Sequence, residues 1–284
     1  MGDEPDEDGR MTELNAKSMK QIMIELLHDI TRKIKKATTP RQLPFVWKLT
    51  YNGTTSHAIG TNHTVPDAYS DDALLYVIAK ENVLIETDNR KIPQEKIDAL
   101  CSKTLTNTIE QLTLPERRIL SDITGMSIPQ LREYPIAGFH SHLVSRYYGS
   151  VPLKSIDTTI VEHAEKIGVP VRDLETVDEL LEWREPEKHV LGDIKELIEA
   201  ERKGSWKTTL KFIKAYEQGD LEALTRQANN YSIKSPERNQ RMVERSLPCL
   251  ERPTLIAVGV GHFVKEPTML AMYKEKGVKI ERIR

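Results

Sequence analysis

The chain is poor in cysteine, in long apolar runs and in charge of a single sign. Of its 284 residues only Cys101 and Cys249 are cysteines, too few for a disulfide framework or a thiolate metal site. Both read as buried free thiols, with one bridge open to them in an oxidising space. Neither has an adjacent base in its helix-like context, which argues against thiol catalysis. No apolar run approaches the roughly 20 residues that span a bilayer, and the N-terminus lacks the basic-then-apolar order of a secretory signal. The chain as given is expected to be soluble, in the cytoplasm or, after loss of a leader, outside it. A net charge of −2 supplies no field that would draw nucleic acid or an anionic membrane. Nucleotide loops are missing too: Gly259-Val260-Gly261 lacks the third glycine of a dinucleotide site, and no Walker lysine follows. There is no Gly-x-Ser-x-Gly nucleophile elbow.

What is present is one pattern used twice. Gly60-Thr61-Asn62-His63 and Gly259-Val260-Gly261-His262 both follow an apolar run that reads as a buried strand. Each leads into an amphipathic helix, expected over 67–80 and 266–276, and then a strand ending in charged residues, 82–88 and 278–282. The hairpin before the first copy is read from β-rich segments at 44–51 and 56–60 around Asn52-Gly53.

The remaining organisation is helical. Residues 1–10 are an acidic tip expected to be disordered, and 11–39 carry an amphipathic helix whose stripe would pack on the body or on a partner. From 93 to 231 the pattern is helical and charge-rich, a lid or outer layer, broken by a strand at 169–175. Ile97, Leu100, Cys101, Leu105, Ile109 and Leu112 read as one stripe. The expected fold is α/β (α+β): a compact central sheet built from two similar strand–Gly-x-x-His–helix–strand units, surrounded by a large helical layer within a domain spanning 40–284.

Histidines just past the ends of buried strands stand at the edge where α/β folds place reacting groups. If the two units pack face to face, His63 and His262 converge, and two imidazoles with a carboxylate suffice to hold a catalytic divalent metal. Glu86 is the natural third ligand or base, ending the strand expected to return beside the one leading to His63. Asp88 shares its face by alternation, and Glu175 ends another strand. Arg238 and Asn239 offer a clamp for a substrate carboxylate, although spacing alone places them on an ordinary solvated helix face. His140 and His142 point apart, His163 reads as a satisfied core residue, and His28, His57 and His189 have no supporting context.

The segments 57–63, 84–88, 173–176, 237–239 and 256–262, in this order, resemble the TraB/GumN family, which includes bacterial pheromone-shutdown proteins and Tiki-type proteases. The resemblance covers 45–284. It implies a metalloprotease supported by Mn²⁺ or Co²⁺, with Zn²⁺ also possible, whose metal is held by His63, His262 and Glu86. Glu175, Arg238 and Asn239 match other signature positions. The function expected is therefore a metal-dependent peptidase acting on a peptide or an exposed protein segment. The alternative is a protein that binds and sequesters a peptide or a haem-like ligand without cleaving it, and self-association as a homodimer is a further possibility.

Overall fold

The computed structural model describes residues 43–62, 65–66, 73, 76–77, 80–151, 153–182, 187–230 and 236–283. The expectations for 1–10 and 11–39, and the position of His63, lie outside these residues.

Strands β1 (Val46–Tyr51) and β2 (Thr54–Thr61) form the expected hairpin, in register from Val46 opposite Ile59 to Tyr51 opposite Thr54. Asn52 and Gly53 both take positive φ, 46° and 81°. The turn requires this, and asparagine and glycine are the residues that tolerate it best. A two-residue strand β3 (Val65–Pro66) pairs with β5 (Leu153–Lys154) in a small separate sheet. The main sheet adds β4 (Asn82–Ile85), β6 (Val171–Asp173), β7 (Thr254–Gly259) and β8 (Lys279–Arg282), in the order β6-β4-β7-β2-β1-β8. Strand β1 is antiparallel to both its neighbours, while β6, β4, β7 and β2 run parallel. All four β4 residues are buried, as are five of the six in β7. Burial on both faces is why these strands read as continuous apolar runs rather than as alternation.

One expectation is corrected here. β4 does not lie beside β2, because β7, from the far end of the sequence, inserts between them. The two repeated units are thus interleaved in one sheet rather than stacked face to face.

Thirteen α-helices occur among the described residues: α1 (Gln94–Cys101), α2 (Thr106–Glu110), α3 (Leu114–Thr124), α4 (Ile128–Glu133), α5 (Ile136–Tyr148), α6 (Ile156–Lys166), α7 (Val177–Glu182), α8 (Glu187–Arg202), α9 (Lys211–Gln218), α10 (Leu221–Asn230), α11 (Pro236–Ser246), α12 (Gly261–Val264) and α13 (Met269–Glu275). Residues 73, 76 and 77 are also helical. One apolar core surrounds the sheet, with Phe45, Leu84, Ile256 and Tyr273 at its centre. A second is built within the helical layer by residues such as Leu105, Ile109, Leu120, Phe139, Ile194 and Trp206.

The single stripe expected over 97–112 is broken into α1 and α2. The backbone between them is diverted to pair with a distant loop, Leu105 N–H donating to the Tyr134 carbonyl (3.0 Å) and Ile136 N–H to that of Lys103 (2.9 Å). No residue of α1 is buried, so Cys101 is exposed; Cys249 is half-buried, and both are free thiols. The helix expected over 266–276 begins late, at Met269. Pro267 interrupts the pattern, and Thr268 caps the first turn by accepting from Ala271 N–H at 2.9 Å.

Candidate functional site

Parallel strands that share a direction deliver their carboxyl ends to one edge of the sheet, the edge at which α/β folds gather reacting groups. Here β4 runs into Glu86, β6 into Glu175 and β7 into His262. β2 ends on the same edge at Thr61, level with Gly259 of β7. The two Gly-x-x-His turns touch: Val260 N–H donates to the Thr61 carbonyl at 2.8 Å. A Cβ placed on Gly60 would meet Val260 Cγ2 at 2.7 Å and Phe45 Cβ at 3.2 Å. The first glycine is therefore required by the packing of one turn against the other, not by the approach of a ligand.

Helix α11 crosses this edge. Glu237 and Glu244 face solvent as spacing predicts and Arg241 is half-buried, but Arg238 and Asn239 are buried, at 1% and 7% exposure. The solvated-face reading fails at these two positions because the helix is laid over three strand ends that its own sequence does not reveal. The Arg238 guanidinium binds both carboxylate oxygens of Glu175 through Nε and Nη2, and Nη2 also binds Glu86 Oε1. Burial alone would lower the pKa of this guanidinium; the two carboxylates outweigh it and hold the pKa above its ordinary value. Glu175 N–H donates to the Glu86 main-chain carbonyl at 2.9 Å, which ties the two acid-bearing loops together. Glu86 Oε2 accepts from Gly259 N–H at 3.2 Å. Among the described side chains one guanidinium thus serves two carboxylates.

His262 is 2% exposed, and its Nδ1 lies 2.6 Å from Asn239 Oδ1. The Asn239 amide nitrogen donates to the Pro267 carbonyl at 2.8 Å. Because a carbonyl can only accept, this contact assigns the amide orientation, makes Oδ1 an acceptor and requires the ring proton on Nδ1. In the neutral ring Nε2 then carries a lone pair, and Nε2 stands 3.5 Å from Glu86 Oε2. Two acceptors face each other, an arrangement suited to a shared proton or a bound cation. A narrow crevice lined by Pro236, Asn239, Gly261, Lys265, Glu266 and Pro267 leads to the ring. Among the described residues, which exclude His63, no group of three or more His, Cys, Asp or Glu side chains could hold a metal ion.

The other candidates have different surroundings. Asp88 accepts from Arg90 through both oxygens, taking the main-chain N–H at 3.1 Å and the guanidinium at 2.9 and 2.8 Å. These contacts keep its carboxyl below the usual range and assign it to capping the turn at 89–91. His142 contacts the Thr124 carbonyl through Nε2 at 2.8 Å. His163 is half-buried, and its Nε2 has no hydrogen-bond partner among the described residues, so it is not the satisfied core residue expected.

Sequence reasoning missed a second clamp. Arg245, seven residues after Arg238 and so on the same helix face, binds both oxygens of Glu179 at 2.7 and 2.8 Å and the Leu174 carbonyl at 2.7 Å. Glu179 also accepts from Thr176 N–H at 2.8 Å. The segment carrying Glu175 is thereby held from both sides. The available signal was the pairing of an Arg-x₆-Arg stripe with Thr176-x-x-Glu179, a helix-start pattern in its own right.

The family model described as TraB/PrgY/gumN matches residues 45–282, from the residue before β1 to the last residue of β8. No curated protein and no solved structure gives a significant match. No helix among the described residues is long and apolar enough to cross a membrane.

Proposed function

The chain belongs to the TraB/PrgY/gumN family, and from that premise we propose that it is a divalent-metal-dependent peptidase acting on a peptide or an exposed protein segment. The observation that carries this reading is the Nε2 lone pair of His262, fixed in direction by Asn239, facing Glu86 Oε2 at 3.5 Å. Such a donor set fits a cation, with His262, Glu86 and His63 as the proposed ligands and Mn²⁺ or Co²⁺ favoured over Zn²⁺. When bound, the metal would polarise a scissile carbonyl and make water a competent nucleophile at neutral pH.

The chain's own residues have separable tasks. Asn239 holds His262 in the tautomer that leaves Nε2 basic. Arg238 occupies Glu86 Oε1 and so turns Oε2 toward the imidazole. Glu175 spends both oxygens on Arg238, which suits it to holding the guanidinium rather than taking a proton. Arg238, with its guanidinium committed to two carboxylates, acts by positioning Glu86 and not by gripping a substrate carboxylate.

The test is metal analysis of the purified protein beside His63→Ala and His262→Ala, with cleavage of a peptide library in Mn²⁺ or in EDTA. Stoichiometric metal lost in both variants, and products formed in Mn²⁺ alone, support the proposal. Peptide retained without products in any metal would overturn it in favour of a sequestering protein.

A further inference from the structure

We propose a second, separate binding site, for a small phosphate-type oxyanion, formed by Lys48, His57 and Lys80 on the hairpin face of the sheet. Lys48 and His57 are directly opposite each other in the β1–β2 register, so their side chains leave the same face. Lys80 reaches in from just before β4, its Nζ 2.8 Å from His57 Nδ1. The His57 ring packs against the Tyr76 ring at 5.4 Å. His57 lies level with Leu255 on β7, roughly 13 Å along the strand from Gly259 at the usual rise per residue. The group is thus remote from the Glu86 edge.

What marks it is charge without compensation. All three residues are half-buried, and among the described residues neither lysine forms an ion pair with a carboxylate. Glu281 lies level with Lys48 on β8 but is exposed and does not pair with it. With Lys80 at the imidazole and Lys48 on the facing position of β1, the two ammonium groups repel each other, and partial burial sharpens the cost. Burial, then Lys80, then Lys48 push the His57 imidazole down to about 4, so at neutral pH the uncharged ring accepts a hydrogen bond from the Lys80 ammonium rather than adding a third positive charge. An oxyanion seated between the ammonium groups removes the repulsion and supplies the missing acceptors.

The probe is inorganic phosphate, titrated calorimetrically into the full chain at constant ionic strength, with acetate as a parallel arm. Saturable phosphate binding to the parent, weakened at least tenfold in Lys80→Met and also reduced in Lys48→Met, is the expected result. Acetate binding as tightly as phosphate would replace a tetrahedral oxyanion with a carboxylate and overturn the assignment. Equal phosphate binding by the parent and both lysine variants, or no saturable binding by the parent, would also overturn it. His262→Ala is expected to bind phosphate like the parent; a loss there would move the anion to the other edge and reject this site whatever the outcome of the peptidase test.

Discussion

Asn239 and His262 are locked together, Oδ1 to Nδ1 at 2.6 Å, with the amide itself fixed by the Pro267 carbonyl. Asn239→Ala frees the ring and is expected to weaken metal binding about 10- to 100-fold, the usual effect of losing a partner behind a liganding histidine. Asn239→Asp keeps the acceptor and should recover part of the loss. Calorimetric titration with Mn²⁺ measures both, and unchanged affinity in Asn239→Ala would show that the ring is not held for a metal.

Arg238→Met leaves two buried carboxylates facing each other without their cation. The expected cost is about 3–5 kcal/mol of folding stability, the range for removing one partner from a buried ion pair. Urea unfolding at neutral pH reads the effect, and a variant as stable as the parent would contradict the charge argument.

The two glycine-bearing turns differ in their tolerance. At Gly60 an added methyl collides with Val260 and Phe45, so Gly60→Ala should destabilise by about 1–3 kcal/mol, as overpacking does. At Gly261 a Cβ meets nothing within 4 Å; Gly261→Ala, in the first turn of α12, should leave stability unchanged or slightly improved. Thermal denaturation of the pair decides whether Gly60, the glycine of the first motif, serves packing while Gly261, between the glycine and the histidine of the second, does not.

Glu179 reports on acid stability. The Arg245 hydrogen bond, the largest cause, holds its carboxyl down to about 2, against about 4.3 for an unperturbed glutamate. A folded-state pKa below the unfolded one stabilises the fold above about pH 4.3, and that contribution fades as the pH falls toward about 2. Arg245 is 41% exposed, so screening limits the contribution to under about 1 kcal/mol. Arg245→Met should flatten the stability profile across this window in denaturant titrations, and a profile parallel to the parent's would assign the acid sensitivity elsewhere.

Much of the sheet was legible because its signals are local. Asn52-Gly53 announces a hairpin, an apolar run ending in Glu86 announces β4, and an apolar run ending in Gly259 announces β7. Neighbour relations were not legible: β4 and β7 are both buried on two faces, and nothing in an unbroken apolar run says what lies beside it. The acids and histidine at the strand ends were visible for the same local reason. The buried character of Arg238 and Asn239 was less so: α11 is mostly polar, Met242 and Val243 one turn on being the apolar residues of its inner face, and the carboxylates that receive Arg238 are as distant as Glu86 and Glu175. His57 and Lys80 are 23 positions apart, and only the return of the chain along β4 makes them partners.

The placement of β7 bears on how fast this protein becomes itself. Residues 254–259 are separated from β2 and β4 by a long stretch of chain and lie between them, so one strand supplies both the sheet's middle and the histidine's position. Pairing across so long a separation predicts slow acquisition of structure.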